Sequence, residues 1–454
     1  MTRPTSVAAM MAQVALAPTP ESHNGRQDSW QTHHNSGTYT WNDLVRTIAG
    51  DEFAKENKVA GLLSKKTNRI MDHSLQGFIL HNLSMSFHAS ENNIVRVICF
   101  LSEVTNLLRD RPRIHLSNLI AELIARDVVR DRGPGLPGSD HIKKILFIAI
   151  GWITHLFVPD VTKIDQSFAV DTEGAVCFEV SSVPDDDDNR PIIEIVRELG
   201  DILPTCPNTD NSPTADILHV ASLNIATLIR VGNVQIHWTE SISSHLDFDT
   251  AHLDPQTGTI VPVLKLFRYP SFCYQHSLPT SVLHELLGDW YDPTTKPARF
   301  TTKALMQEIL LSYKLLVLFD RKARKLFKHI TKDIAKLSDY DDELDKLCLG
   351  YSHDRPEPFS WHEPRGLRET FRASSDFPIF SSRLIKVEQF IDSIQPNTIT
   401  ALWKDRRDIL RWYTFWAIFV LGSINLAVAL VQTSLAAEQV RLAKLTLLPT
   451  MKQS

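Results

Sequence analysis

Apolar positions recur with a helical period along most of this chain, and close to its end the polar positions between them drop out. From Trp412 to Ala437 no residue is charged over about 26 positions. That is roughly 39 Å of helix at 1.5 Å per residue, against a hydrocarbon core of about 30 Å. The pattern predicts a membrane-spanning helix over 409–438. Upstream, Trp41, Leu44, Val45 and Ile48 share one helix face, with the Thr40 hydroxyl placed to cap it and Asp43 favourable in its first turn. The period continues through 62–80 and is clearest in Ile94, Val97, Ile98, Leu101, Val104 and Leu108. A further helix carries Leu116, Leu119, Ile120, Leu123, Ile124 and Val128, and stops at the glycines and prolines of 131–138. The apolar run Ile145–Val158 is too short to cross a bilayer. It predicts the central buried helix of a globular body, with His155 as a hydrogen-bonded core histidine.

From about Ser167 the period changes to two, around Glu173-Gly174, which predicts a β-hairpin. Helices are expected over Ile192–Leu203 and Ala215–Val231. Two strand-like stretches then follow, Asn233–Asp249 and Thr259–Cys273, with a turn at Asp254–Gly258. A long helix is predicted over 302–336, connecting chain from Tyr351 to Pro378, and a short helix over Arg383–Ser393.

Composition sharpens this picture little. The hydrophobic fraction of 43% and the charged fraction of 22% are ordinary globular values, enough for the part before the span to bury a core. A net charge of −5 spread over 454 residues excludes a strong global nucleic-acid footprint. The five cysteines, Cys99, Cys177, Cys206, Cys273 and Cys348, are scattered and form no CxxC pair. They read as buried free thiols in a reducing compartment. The sequon at Asn82 falls in an apparently helical region. Val7–Ala17 has the outline of a short signal-peptide core ending in Ala15-Leu16-Ala17. Its interruption by Gln13 favours a disordered leader over 1–39 instead.

Gly133-x-Gly135-x-x-Gly138 has the dinucleotide-loop spacing, but a helix precedes it, and Pro134 and Pro137 remove amides that would face a phosphate. The acidic run Asp185–Asp188 reads as a solvated loop, because adjacent carboxylates do not converge on one ion without a folded loop. His284-Glu285 begins like a zincin helix, but position 288 is glycine where the second histidine belongs. His237, Glu240 and His245 straddle a strand and its turn, an arrangement without evident partners to orient a zinc ion. A helix followed by a strand pair is also the order of a winged helix, yet the preceding helix carries one base, Arg230. The basic stretch with Arg321, Lys322, Arg324, Lys325 and Lys328 reads as a solvated face or as a surface for anionic lipid. No metal, no cofactor and no catalytic residue is expected.

The span itself supplies the candidate site. Trp412, Tyr413 and Trp416 cluster where amphipathic rings favour the headgroup level, followed by Phe419, Leu421, Leu430 and Leu435 in the apolar run. Asn425 and Gln432 are its strongly polar side chains, each able to bond a partner helix. Lys404, Arg406, Arg407 and Arg411 precede the span, and Arg441, Lys444 and Lys452 follow it. That excess places the large N-terminal part in the cytosol. With about 17 residues after Ala437, the layout is that of a tail anchor.

Several of these stretches together resemble a family of uncharacterised filamentous-fungal membrane-anchored proteins. LWKDRRDILRWYTFWAIFVLG, Leu402 to Gly422, resembles the family's ending: a basic-acidic cluster, an aromatic threshold, then the span. GWITHLFVP at Gly151–Pro159, the strand pair around IHWTESISSHLDFD and LKLFRYPSFC, and the helix EILLSYKLLVLFDRKARKLF are similar to family segments. Leu318 and Phe319 stand where the family more often has Gly-Gln. The resemblance implies a membrane-anchored helical protein and brings no activity and no catalytic residues. The expectation is therefore a protein that is mainly α with a small antiparallel β element (α+β), plus one C-terminal transmembrane helix. Its parts are a helical region 40–160, an α+β region 161–350, a linker 351–408, the span and a tail 439–454. The expected role is an interaction or scaffold protein whose partners are the lipid bilayer and an unspecified protein. An anchored enzyme is the first alternative, and a winged-helix-like nucleic-acid binder the second.

Overall fold

Thr40 and Asp43 open the ordered body with a reciprocal cap. The Asp43 carboxylate accepts from the Thr40 amide (2.8 Å) and hydroxyl (2.7 Å), while the Asp43 amide reaches back to the Thr40 hydroxyl at 3.3 Å. The structure is a computed structural model describing residues 40–49, 60–65, 79–80, 83–84, 93–130, 139–159, 167–169, 182–184, 190–192, 194, 216–254, 257–287, 301–349, 368–394 and 409–447. The leader 1–39, Asn82, the stop at 131–138, the turn Glu173-Gly174, Asp185–Asp188, Cys177, Cys206, Lys404, Arg406 and Arg407 lie outside those residues. The chain divides into two compact units, Met1–Ile391 and Asp392–Ser454.

The first unit is mainly helical. Helix α1 (Trp41–Ala49) packs on α2 (Asn93–Asp110), which also packs on α4 (Ser139–Thr154). Helix α3 (Leu116–Ala125) lies against α2 and α4. The predicted apolar faces are the ones that pack: Leu44, Val97, Val104, Leu108, Leu119, Leu123 and Leu146 are all buried. Helix α3 ends before Val128, because Asp127 takes a left-handed φ of 57°. Helix α4 ends at Thr154, so His155 lies just past the helix rather than on it, with φ 54°. A Cβ on Gly151 would come within 3.0 Å of the Phe157 and Pro159 rings, so glycine lets the chain fold back there. That return is pinned to the sheet region: Ile242 N–H donates to His155 O (2.8 Å) and Ser243 N–H to Leu156 O (3.0 Å).

Strands β1 (Ser167–Ala169) and β2 (Ser182–Pro184) pair antiparallel, with Ser167 opposite Pro184 rather than residue 180, where a two-residue turn at Glu173-Gly174 would set it. The expected helix over Ala215–Val231 is instead a strand, β3 (Ile217–His219), then α5 (Val220–Leu223) and α6 (Ile225–Arg230). Asn224 makes the break: in extended backbone, its side chain accepts from Thr227 N–H (2.9 Å) and donates to the carbonyls of Val220 (2.8 Å) and Ala221 (2.9 Å). The first strand-like stretch divides into β4 (Gln235–Thr239) and β5 (Phe248–Leu253), and the second gives β6 (Ile260–Phe267). β5 and β6 form the expected antiparallel hairpin, whereas β4 runs parallel to β6 on its other edge, Gln235 opposite Val263. The hairpin is thus extended by a third, parallel strand into a mixed sheet.

Helices α7 (Pro270–His276) and α8 (Val282–Leu287) lead to α9 (Thr302–Tyr313). The predicted long helix over 302–336 is interrupted. A wider π-type turn at Lys314–Leu318 follows α9, and Asp320 then restarts the chain as the cap of α10 (Arg321–Ile330), accepting from Ala323 N–H at 2.6 Å. After α11 (Asp342–Leu349), strand β7 (Thr370–Arg372) lies within the stretch expected to be connecting chain. It pairs antiparallel with β3, Ile217 opposite Arg372. The one-turn α12 (Ala373–Asp376) and α13 (Ser381–Ser393) complete this part.

The second unit is dominated by α14 (Ile409–Leu447), 39 residues without interruption. It continues past the predicted end of the span at 438.

Candidate functional site

Helix α14 is long and apolar enough to cross a membrane from Tyr413 to Lys444, and none of the side chains in its most apolar window is buried. Among the predicted residues, Tyr413, Phe419, Leu421, Leu430 and Leu435 are each 54–64% exposed, and Asn425 is exposed as well. Trp416 is half-buried, stacked edge-on against Phe415 and Phe419 with ring centres 6.0 and 5.8 Å away. Trp412 and Arg411 belong to the first turn. Two hydroxyls in the run are satisfied by the helix itself: Ser423 donates to Phe419 O and Thr433 to Ala429 O, both at 2.8 Å. Charge returns only at Glu438, Arg441 and Lys444, with Arg441 3.8 Å from Glu438.

The first unit holds a different kind of site, a buried polar network at the ends of β4 and β6. Arg268 donates to Glu240 (2.7 Å) and to Asp339 (2.6 Å), and Tyr269 donates to the same Asp339 oxygen at 2.6 Å. Burial first, and the nearby Glu240 carboxylate next, hold the Tyr269 phenol well above its ordinary value, so it remains a donor. Beside it, Asp341 accepts from the Ser271 amide (2.8 Å) and hydroxyl (2.7 Å), tying the start of α7 to the approach of α11. Burial pushes Asp341 up to about 6 against the pull of those bonds. Glu308 on α9 accepts from the amides of Ile379 and Phe380 (both 2.9 Å to one oxygen), just ahead of α13. Burial pushes it up to about 8.

The sequence candidates disperse around this network. His237 sits half-buried on β4 beside His252, Glu240 is committed to Arg268, and His245 is fully buried elsewhere. Burial depresses His245 to about 3. Its Nδ1 accepts from Phe267 N–H (3.1 Å), which leaves Nε2–H to donate to Ser312 Oγ (2.7 Å), whose own proton goes to Ile309 O (2.7 Å). Every bond in that chain points the wrong way for histidine to take a proton from serine. His155 is buried against Phe272, ring centres 3.8 Å apart.

His284 and Glu285 line a groove of about 970 Å³ with Arg111, Arg113, His115 and Glu122. Glu122 is engaged there by Arg111 (3.7 Å) and Arg126 (3.1 Å). Adjacent positions on a helix diverge, so His284 and Glu285 do not converge as an acid-base pair. Among the described residues, no group of His, Cys, Asp and Glu is arranged to hold a metal ion. Cys99, Cys273 and Cys348 are free and buried, with Cys99 pushed up to about 12.

Sequence reasoning missed Arg268, Asp339, Asp341 and Glu308. Part of their signal was present: Arg268 directly follows the apolar run of β6, and Glu308 stands alone in the apolar face of α9. No protein-family model, curated protein or solved structure matches this chain.

Proposed function

We propose that this is a membrane-anchored protein in which α14 crosses the bilayer and the first unit faces the cytosol as an interaction or scaffold module. One observation carries the reading: an uncharged run from Trp412 to Ala437 forms continuous helix whose large apolar side chains stand exposed. In water such a surface is costly at about 25 cal/mol per Å² of apolar area, and in hydrocarbon that cost vanishes. The aromatic group at Tyr413–Phe419 and the internally bonded Ser423 and Thr433 hydroxyls suit a lipid surrounding. Lys404, Arg406, Arg407 and Arg411 before the span support the cytosolic side for the first unit. The likeness of Leu402–Gly422 to the endings of fungal anchored proteins agrees with this assignment.

The test is fractionation of the full chain and of a chain lacking 402–454. Full-length protein is expected in the membrane pellet after an alkaline wash, and the shortened one in the supernatant. Protease added outside sealed organelles is expected to digest the first unit. A full chain that stays soluble without detergent would overturn the anchor, and a protected first unit would overturn the orientation.

A further inference from the structure

We propose that the exposed face of α10 is a docking surface for anionic phospholipid headgroups. The segment 321–336 carries seven Lys and Arg against one acidic residue, Asp333, in a chain whose net charge is −5. Helix α10 turns Ala323 and Phe327 into the core, where Phe327 meets Trp238 edge-on with ring centres 6.2 Å apart. The opposite face presents Arg321, Lys322, Lys325 and Lys328, followed by Lys332 and Lys336, all exposed. Among the described residues, Arg321, Lys322 and Lys325 make no ion pair.

Folding alone gives no reason for this arrangement. Arg321 and Lys322 occupy the first turn, at the positive end of the helix dipole, and that turn contains no acidic residue. Arg321 and Lys325, and Arg324 and Lys328, repel one another at i,i+4. Each of these terms opposes the helix in water, and each is relieved when a negatively charged surface lies against the face. Leu337, 38% exposed, follows the short turn Ile334–Lys336 at the end of the basic stretch, an apolar side chain suited to the headgroup boundary rather than to a polynucleotide. The anchor reading puts the body beside a bilayer, and this inference rests on it only for that proximity.

The full chain is reconstituted into neutral phosphatidylcholine vesicles and offered labelled, protein-free vesicles of phosphatidylcholine alone or with phosphatidylserine. Capture of the anionic set, lost at high salt, is expected. Each cation at such a surface contributes about fivefold, so R321Q/K322Q/K325Q should capture roughly a hundredfold less. K322R/K325R should capture as the natural chain does. At these exposed positions the triple variant should melt no lower than the natural chain. Equal capture of both vesicle sets, undiminished capture by the triple variant, or tighter binding of single-stranded RNA than of the anionic vesicles at equal salt overturns the proposal. A chain that washes off the neutral vesicles defeats the anchor reading instead. Direct flotation with the two vesicle sets then decides the face: anionic-selective flotation that needs Arg321, Lys322 and Lys325 upholds it, and equal flotation overturns it.

Discussion

The first unit and α14 place polar and apolar groups in opposite ways. Within the first unit the described residues leave few large apolar side chains exposed, namely Ile217, Leu253, Ile260 and Leu337, while Arg268, Asp339, Asp341 and Glu308 are buried. On α14 the large apolar side chains from Tyr413 to Leu442 are exposed, apart from half-buried Phe415 and Trp416. A fold in water buries charge only where other protein groups replace the lost hydration, which Asp339 and Glu240 do for Arg268. A helix in hydrocarbon needs no such replacement, provided it carries no charge and its backbone bonds are internal. The difference teaches that the surface of the first unit suits water, whereas that of α14 suits the hydrocarbon the proposed anchor would place around it.

Charge placed on α14 should break that contrast most severely. Each arginine at the centre of a span costs about 2.5 to 3.5 kcal/mol, so L421R/L430R should lose roughly 5 to 7 kcal/mol of insertion and leave the alkaline-washed membrane pellet. Retention of the double variant would mean that those side chains face water or protein.

The converse change removes charge from the core. Asp339→Ala leaves the Arg268 guanidinium with Glu240 as its carboxylate partner among the described residues and takes away the Asp339 acceptor of Tyr269. Breaking one side of a buried pair typically costs about 3 to 5 kcal/mol, which should appear as a drop of several degrees in the melting temperature. A variant that melts unchanged would show that the network is not under the load its burial implies.

How much of this was legible in the sequence divides along the same line. The long apolar helix near the C-terminus, α1 with its Thr40 cap, and α4 were readable because periodicity, capping and uncharged length are local properties. The parallel pairing of β4 with β6 and the antiparallel pairing of β3 with β7 were not, because no local pattern says which distant strand will supply the partner. The break at Asn224 and the restart at Asp320 were readable only in part. Both residues favour caps, yet the flanking periodicity is equally consistent with continuous helix. The buried network was hidden because charged residues are normally exposed, and only tertiary contact shows which of them are not.

Glu308 offers a finer test of the polar core. Its value of about 8 lies above the ordinary 4.5, so between those limits the folded state holds a proton that the unfolded chain has released. Stability should therefore fall as pH rises through that window, and be greatest below it. Glu308→Gln stays neutral throughout and keeps an acceptor for the amides of Ile379 and Phe380. Melting temperatures at pH 5.5 and 7.5 should differ in the natural chain and converge in the variant. An equal slope in both would assign the pH dependence to other groups, Asp341 first among them.

The smallest effect comes from one substitution made in both units. Thr40→Val removes a hydroxyl that caps α1 from outside the helix, where the Asp43 amide and carboxylate depend on it. Loss of such a cap costs about 1 kcal/mol and should lower the melting temperature by a few degrees at most. Thr433→Val removes a hydroxyl whose only bond among the described residues is to Ala429 O, a carbonyl already within the helix ladder. In hydrocarbon, valine is the better-matched side chain, so retention in the alkaline-washed pellet should be unchanged or slightly improved. If Thr433→Val instead weakens retention, the hydroxyl bonds another helix. The simple opposition between a water-facing unit and a lipid-facing one would then give way to an α14 that packs against protein inside the membrane.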